Sequence, residues 1–525
     1  MKKRINVHNI LQSEIVVLGA DEIPLITDKL DRLANYIDKT PAPVLRDIAY
    51  TSGLDAKGAL AKAAVVANSP ADLREKLELL RRRIESGKIT SFYTKGIYIG
   101  TEMCPAPGRT VFLFPGEGSQ YPDMLRDLSL HFPACRSAFD DADTASAMAG
   151  AAMAPSQWIF PTGETPKESI AETLGMAAAV QSVIAADTGL LRLFLQVGIT
   201  PDAVAGIGVG ELVAMEAAGA VRYADRKARL DALCEGHRLM MSMPSSSDVL
   251  PQCFCFSASG LSRAKLDAVI SSCGNGAVIT RDQASELFSV CARTEIAKDL
   301  VSRIEAIGGA THRLPISQPF HTPWIKPVLP ALTNYFKGIV TSAPEVPVYS
   351  FMTAAPIEGP IEAWAPQAAE QWANPTRIRD TIEQLYADGF RVFVELGARG
   401  SISACVAATL RRRPHLALAA NSSHRSDILQ LHHTLAALVA HGAELDVEKT
   451  PRPSRFMLGR LRPPRPHSRT AHPAYRPTCD PLRLASQRHD PRRTRRPSPA
   501  NRTSAPRPRL AGRPRRRTCR LSNDR

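Results

Sequence analysis

The chain has 525 residues, enough for two to four domains, and its 44% hydrophobic and 22% charged content is typical of a soluble globular protein. The net charge of +15 is confined to one end: segment 451–525 holds 22 Arg, no Lys and 3 Asp, which leaves 44 basic against 48 acidic side chains in residues 1–450. The mildly acidic body excludes a nucleic-acid-binding core, and charges within the most apolar segments exclude a membrane span.

The ten cysteines fall at irregular spacings without a C-x-x-C pair, and Cys253 and Cys255 are the closest two. In a chain of this length such a distribution predicts reduced thiols rather than a disulfide framework. The first residues lack the apolar core and the cleavage site of a secretory signal. We therefore expect a cytoplasmic protein.

The first hundred residues predict a small α/β unit, assigned to 1–105. Apolar residues recur at helical spacing from Asp21 to Lys39, and a short apolar run follows at 63–67. A second helix is predicted from Ser69, which can cap it, through Pro70 in the first turn to the stop at Gly87. We expect this unit to brace or connect something larger.

A larger unit, assigned to 106–446, begins with the buried strand 111–114, which breaks into the loop PGEGSQ. A helix is predicted to follow from Tyr121, and residues 168–197 predict one long apolar helix. Toward the end of this unit, strands are predicted at 346–352 and 391–397, and helices at 376–389 and 428–442. The order indicates a parallel sheet covered by helices.

The segment 202–221 is the stretch around which this unit is organised. Apolar residues lead to three alternating glycines, Gly206, Gly208 and Gly210, and a helix-compatible run starts at Glu211. A strand, a tight glycine turn and a helix are the layout of a nucleophile elbow. Position 208, where a nucleophile belongs, holds glycine.

Between 245 and 315 the pattern changes to short strands and two helices in a β-α-β-β-α-β order, which predicts a ferredoxin-like insertion. After residue 446 no apolar periodicity survives, and 14 Pro accompany the 22 Arg from 451 onward. We expect a disordered tail at 447–525. Out-of-frame translation explains its composition better than a nucleic-acid arm, since only Phe456 and Tyr475 could stack on bases.

Three loops carry groups suited to chemistry on a carbonyl. The backbone amides of Glu117 and Val209 follow two strand ends and are expected to form an oxyanion hole, and His321 in QPFHTP is the candidate base. His321 has an equally simple interpretation as a structural histidine. His432 and His433 are expected at the surface or at an interface, and no metal site or bound cofactor is predicted.

A dinucleotide loop is a poor alternative for GIGVG. The Rossmann fingerprint needs a third glycine where this chain has Glu211, whose charge would face the pyrophosphate.

Taken together, five motifs resemble the acyltransferase domain of modular polyketide and polyunsaturated fatty acid synthases, relatives of malonyl-CoA:acyl carrier protein transacylase. The motifs are FPGEGSQYPDM (114–124), PDAVAGIGVGELVAMEAAGAV (201–221), LPISQPFHTP (314–323), PVYSFMT (347–353) and VFVELGARGSIS (392–403). The segments PVLRDIAYTSG and AAVVANSPADLREKL are similar to the linker between ketosynthase and acyltransferase. The resemblance covers about residues 25–446.

The resemblance implies an α/β-hydrolase-like core with a parallel sheet. In this family a serine in G-H-S-x-G accepts the acyl group from coenzyme A as an ester, activated by a histidine. The group then passes to the phosphopantetheine thiol of a carrier protein. Acyl-CoA and the phosphopantetheinyl carrier protein are therefore the implied substrates, and carrier protein and ketosynthase the implied partners.

Three positions depart from the family pattern. The elbow reads G-I-G-V-G, so the serine is Gly208 and the preceding histidine is lost. The arginine that clamps a malonyl carboxylate aligns with Gly236, or with Glu235 in a shifted register, and Arg238 nearby is the candidate substitute. Glu117 stands where the family has glutamine.

Gln181 corresponds to the helix glutamine of the family, with a register uncertain by one residue. Two hypotheses follow from these departures. The chain is either an acyl-CoA:carrier transferase that works without a serine ester, with His321 as base, or a pseudo-acyltransferase that docks carrier protein or ketosynthase.

Overall fold

The computed structural model describes residues 11–446 except 89, 101–107, 162–174, 244–249, 315 and 317. Within these residues the fold is α/β, and the strands form three sheets, of which two mix parallel and antiparallel pairs. The predicted disordered tail at 447–525 lies outside the described residues, as does the first part of the helix predicted at 168–197.

The first sheet has three antiparallel strands in the order β1-β2-β3. They are β1 (Glu14–Ala20), β2 (Ala61–Ala67) and β3 (Ile97–Ile99). One face is covered by α1 (Ile26–Lys39), α2 (Leu45–Asp55) and α3 (Pro70–Glu85), and apolar residues of these elements form one buried cluster.

Helix α3 forms as its sequence predicts. The Ser69 side chain accepts a hydrogen bond from the backbone N–H of Asp72 at 3.1 Å, and Pro70 occupies the first turn. Its buried side chains recur every three or four residues: Leu73, Leu77, Leu80 and Ile84.

The second sheet has six strands in the order β11-β10-β5-β4-β13-β14, all parallel except β11. The strands are β4 (Arg109–Phe114), β5 (Ala203–Gly206), β10 (Val348–Ser350), β11 (Ala355–Pro356), β13 (Phe390–Glu395) and β14 (Leu416–Ala419). Because both faces are covered, its strands are continuous apolar runs, as the fully buried segment Val111 to Phe114 illustrates.

Helices lie on both faces of this sheet. Those before the insertion are α4 (Arg126–His131), α5 (Pro133–Met148), α6 (Pro155–Ile159), α7 (Met176–Gln196), α8 (Val209–Ala217) and α9 (Arg226–Ser242). Those after it are α12 (Leu329–Ile339), α13 (Trp364–Glu370), α14 (Ile378–Ala387), α15 (Ser401–Thr409) and α16 (Asp427–Ala440).

The third sheet lies between α9 and α12 in the chain and has the strand order β12-β7-β8-β6-β9. Its elements in chain order are β6 (Cys253–Ser259), α10 (Arg263–Ser271), β7 (Ala277–Ala284), β8 (Leu287–Arg293), α11 (Thr294–Ala306) and β9 (Ala310–Arg313). This is the β-α-β-β-α-β succession predicted from the sequence. The short strand β12 (Thr376–Arg377) joins its edge parallel to β7.

Several predicted boundaries were wrong. The helix expected from Tyr121 begins at Arg126, because Asp123 and Leu125 have φ angles of 66° and 56°, which no right-handed helix contains. The helix after the elbow begins at Val209 rather than Glu211. Strand β1 was not expected.

Helix α7 is, among the described residues, the one helix long and apolar enough to cross a membrane. Its most apolar window is 89% buried within the protein, where it packs against α5, α8 and α9. Burial in the core therefore accounts for its composition.

Candidate active site

The predicted elbow is present between β5 and α8. Gly208 has φ 55° and ψ −120°, a strained conformation that side chains rarely adopt, and the helix starts at the next residue. The backbones also approach closely: a Cβ at Gly210 would collide with the carbonyl of Phe114. The turn thus has the geometry that presents residue 208 at the carboxyl end of the parallel sheet.

The carboxylate of Glu117 fills the space next to Gly208. A Cβ built on Gly208 would overlap Oε2 of Glu117 and lie 3.0 Å from its Cδ. A serine side chain would begin where this carboxylate now lies.

Glu117 is 1% exposed and has two charged or chargeable partners. Its Oε1 accepts a hydrogen bond from Arg281 at 2.6 Å and lies 3.3 Å from Nε2 of His321. Its Oε2 is buried and has no hydrogen-bond partner among the described residues. Burial alone would raise the pKa of Glu117. The hydrogen bond with His321 and the charge of Arg281 outweigh it and hold this pKa below the ordinary value.

His321 is buried and has a φ of 59°, in the left-handed region. Its backbone N–H donates to the carbonyl of Trp372 at 2.7 Å, and its Nδ1 donates to the carbonyl of Gln371 at 3.0 Å. With Nδ1 protonated, a hydrogen bond between Nε2 and an ionised Glu117 requires a second proton on the ring. Both ring nitrogens of His321 are therefore engaged in hydrogen bonds with Gln371 and Glu117.

Gln371 connects the histidine to the elbow. Its backbone carbonyl accepts from His321. Its side chain makes two hydrogen bonds to Gly208: Oε1 accepts from the Gly208 N–H and Nε2 donates to the Gly208 carbonyl, both at 3.1 Å. The backbone of the turn is thus fixed by two hydrogen bonds that need no side chain at position 208.

The side chains of Glu117, Arg281, His321 and Gln371 form a cluster around Gly208. The two amides predicted for an oxyanion hole belong to Glu117 and to Val209, the residue after Gly208. Val209 is the first residue of α8, and the first N–H groups of a helix have no intrahelical acceptor. Glu117 lies in the loop after β4, with its side chain against Gly208. A carboxylate beside these amides opposes the negative charge that an oxyanion hole stabilises.

The remaining predicted site residues make their contacts with other parts of the chain. Arg238 is exposed and donates to the carbonyl of Met148 at 2.8 Å. Glu235 is exposed, and a Cβ at Gly236 would lie 2.9 Å from the hydroxyl of Tyr335.

Gln181 is buried in α7, where its Nε2 donates to the Leu233 carbonyl at 2.9 Å. Its Oε1 is buried and, in the part of the chain that the structure describes, has no hydrogen-bond partner. The observed role of its side chain is to join α7 to α9.

Two residues at the centre of the cluster were not singled out from the sequence. Arg281 comes from β7 of the third sheet, and Gln371 from the short turn after α13. Neither carries a local signal, since an isolated arginine in a strand and a glutamine in a turn are usually solvent-facing. Within the described residues, no group of three His, Cys, Asp or Glu side chains could hold a metal ion.

Comparison with known proteins gives a consistent result. A family model described as acyl transferase domain matches residues 111–441. The chain is 27% identical over 318 residues to malonyl CoA-acyl carrier protein transacylase of Bacillus subtilis (strain 168), an alignment that covers 59% of this chain and 93% of that protein.

A second relative is polyketide synthase GfsA of Streptomyces halstedii, 26% identical over 346 residues. The alignment covers 65% of this chain but 4% of that synthase. Among solved structures, the acyltransferase domain from module 8 of the salinomycin polyketide synthase superposes with a TM-score of 0.67 at 19% identity, over 84% of this chain and 98% of that domain.

Proposed function

We propose that this chain, which belongs to the acyl transferase domain family, is a member that keeps the fold but does not form an acyl ester. Its role would be non-catalytic docking of a carrier protein or a ketosynthase in a polyketide or fatty acid synthase system. The observation that carries the proposal is the Glu117 carboxylate in the space of the missing side chain at Gly208.

Two further features support the loss of catalysis. His321 is held between the Gln371 carbonyl and the Glu117 carboxylate, so that the ring has no free lone pair to accept a proton. Tyr335 lies where a side chain at position 236 would project, so this position offers no arginine to hold a malonyl carboxylate. These features also oppose direct transfer with His321 as base.

We base the docking role on the structural units that the chain retains. We propose a linker unit at 1–105, an acyltransferase unit at 106–446 with a small subdomain at 245–315, and an Arg- and Pro-rich tail at 447–525. The order of β9, β6, β8 and β7 supports a ferredoxin-like subdomain, and the parallel six-stranded sheet supports a hydrolase-like core. Acyl-CoA and the phosphopantetheinyl carrier are the family substrates that such a protein would meet in the cytoplasm.

Acyl-enzyme formation tests the catalytic part. The full chain is incubated with radiolabelled malonyl-CoA or acetyl-CoA and separated by denaturing electrophoresis. We expect no label on the wild type, on Gly208→Ser or on Glu117→Gln, and a label on the Glu117→Gln/Gly208→Ser double variant. In the double variant His321 no longer pairs with a carboxylate and can activate the serine. The label should therefore disappear when His321→Ala is added.

A label on the wild-type chain that survives denaturation would contradict the proposal. The double variant has a further expected property: because position 236 offers no arginine, acetyl-CoA should label it at least as well as malonyl-CoA.

Docking is tested by surface plasmon resonance with the chain immobilised and a holo acyl carrier protein of a polyketide synthase in solution. We expect reversible binding in the micromolar range, typical of transient partners, unchanged in Glu117→Gln. Absence of binding to carrier and to ketosynthase would contradict the docking role.

A further inference from the structure

Three cysteines lie on one face of the third sheet. Cys253 and Cys255 are two residues apart in β6, so that both side chains point to the same side. Cys291 in β8 is directly opposite Cys255 in the antiparallel register, and opposed residues share a face. The sheet therefore brings together the two closest cysteines of the sequence and a third one 36 residues beyond Cys255.

The three thiols are neighbours on this face. Cys291 is opposite Cys255 and diagonal to Cys253. The thiols of Cys253 and Cys255 face the carbonyls of Pro251 and Gln318 at 3.3 and 3.9 Å. Cys291 is fully buried and Cys255 is 7% exposed, whereas Cys253 is partly exposed. The cluster is thus closed at one end and open to small reagents at Cys253.

Oxidation fits this cluster better than a metal does. Within the part of the chain that the structure describes, no group of three metal-ligating side chains has a geometry that could hold an ion. Opposed residues of an antiparallel pair have Cα atoms roughly 4.5–5.5 Å apart, within the range of a disulfide. Cys255 and Cys291 meet this condition, while the diagonal pair Cys253 and Cys291 is roughly 7–8 Å apart.

Cys253 is the thiol that reacts with a peroxide first, because it is partly exposed and its surroundings lower its pKa. The neighbouring Cys291 thiol lowers the pKa of Cys253 against the effect of burial, and the charge of Arg293, its cross-strand neighbour, lowers it further. Glu295 acts in the opposite direction. The net shift is downward, which increases the thiolate fraction that peroxides attack.

We propose that this cluster is an oxidation site at which a peroxide reacts with Cys253 and the oxidation ends as a disulfide between Cys255 and Cys291. The proposal does not depend on the docking role or on any activity of the chain.

The chemistry balances with hydrogen peroxide as the oxidant. The Cys253 thiolate attacks one peroxide oxygen, forming the sulfenic acid and releasing hydroxide. The Cys291 thiol displaces the sulfenic oxygen as water and forms a first disulfide with Cys253. This diagonal bridge requires a local shift of the two strands, and the resulting strain makes it transient. The Cys255 thiolate then attacks the Cys291 sulfur and expels the Cys253 thiolate, so that two thiols have lost two hydrogens to one peroxide.

The disulfide has a consequence for the neighbouring loop. In the reduced cluster the Cys255 thiol faces the carbonyl of Gln318 at 3.9 Å, and Gln318 begins the loop that holds His321. A disulfide has no S–H, so this weak contact is lost on oxidation. Amide hydrogen exchange of residues 318–322 should accelerate in the oxidised protein.

The experiment uses the native full chain treated with hydrogen peroxide. Remaining thiols are alkylated with iodoacetamide, and the denatured protein is digested with chymotrypsin without reduction. Cleavage after Phe254 separates Cys253 from Cys255, so mass spectrometry assigns the disulfide directly. We expect a Cys255–Cys291 crosslink with Cys253 alkylated.

Variants distinguish the order of events. Cys253→Ser should slow formation of the crosslink by about tenfold or more, since the accessible thiolate is lost, and Cys291→Ser should accumulate a Cys253 sulfenic acid that dimedone traps. Cys273→Ser, in the same subdomain but outside the cluster, is the matched control and should change nothing. Three alkylated thiols after peroxide treatment, a crosslink that stays between Cys253 and Cys291, or an unaffected rate in Cys253→Ser contradicts the proposal.

Discussion

Gly208 keeps the strained backbone of an elbow without the side chain that such a turn usually presents. At φ 55° a glycine is nearly free of the steric cost that a serine would carry. Gln371 holds the same backbone by two hydrogen bonds. Loss of the side chain at 208 therefore leaves the turn intact and opens room for Glu117.

Gly208→Ser should destabilise the folded protein, because the new Cβ overlaps the Glu117 carboxylate and the positive φ strains the serine. We expect a loss of about 2 kcal/mol in the free energy of unfolding, measured by urea denaturation. Adding Glu117→Gln should recover part of it, since the amide no longer pairs with Arg281 and can turn away. A single variant as stable as wild type would contradict the overlap.

The charge of Glu117 predicts a pH dependence. The pKa of Glu117 is lowered in the folded state. Ionised Glu117 therefore stabilises the folded protein above pH 4.5, the ordinary carboxyl pKa, and this stabilisation is lost as the pH falls below that value. Thermal unfolding of wild type and Glu117→Gln between pH 7 and pH 3 should show the wild type losing its advantage at the acid end. A constant difference across this range would be inconsistent with an ionised, paired Glu117.

At the scale of elements, the site is assembled from the ends of parallel strands and from the inserted sheet. The loops after β4 and β5 bring Glu117 and Gly208 together because these strands are neighbours. Arg281 reaches the same point from β7, and the turn after α13 supplies Gln371. The ion pair between Glu117 and Arg281 thus ties the inserted sheet to the main sheet.

A second buried carboxyl lies at the end of the neighbouring strand β13. Glu395 is fully buried and accepts two hydrogen bonds from Ser403 in the first turn of α15, at 2.7 and 2.8 Å. Burial outweighs these bonds and raises the pKa of Glu395 to about 7. Asp187, also buried, has its own pKa raised by burial and by the charge of Glu395.

The pKa of Glu395 is higher in the folded protein than its unfolded value of 4.5. Its contribution to the free energy of unfolding is therefore complete below pH 4.5 and is lost as the pH rises through 7. We expect the stability of wild type relative to Glu395→Gln to fall by about 3 kcal/mol across this window. Urea denaturation at several pH values measures it. Ser403→Ala removes one hydrogen bond that lowers this pKa, so it should keep the direction of the pH dependence and move it to higher pH. Parallel curves for wild type and Glu395→Gln would contradict the shift.

At the scale of the whole molecule, helix α16 joins the first sheet to the second. Ser13 Oγ lies 2.8 Å from Nδ1 of His432, and the Tyr98 hydroxyl bonds His433. Burial lowers the pKa of His432 to about 4, so that it is neutral at pH 7. The two histidines expected at a surface or interface thus lie at an interface within the chain.

Gly100→Ala tests this junction. A Cβ at Gly100 would overlap the carbonyl oxygen of Ala440 in α16 and lie 3.3 Å from its carbonyl carbon. We expect a loss of roughly 1–3 kcal/mol, measured by thermal unfolding, with faster proteolysis of the first unit. Gly338→Ala, in α12 with no atom near its added Cβ, should be neutral or slightly stabilising; equal effects of both variants would contradict the close approach.

The sequence by itself determined the elements whose signals are local. The cap and apolar spacing of α3, the strand Val111 to Phe114 and the glycine turn at 206–210 each follow from neighbouring residues, so periodicity and turn chemistry predicted them. It also determined that position 208 has no nucleophile.

Only the tertiary structure decided what replaces that nucleophile. Glu117 and Gly208 are 91 positions apart, and the partners Arg281 and Gln371 come from other elements. Contacts between distant segments depend on sheet order and loop path, which no local pattern encodes. The same holds for the cysteine cluster, where the register of β6 on β8 brings the third thiol to the two that the sequence places together.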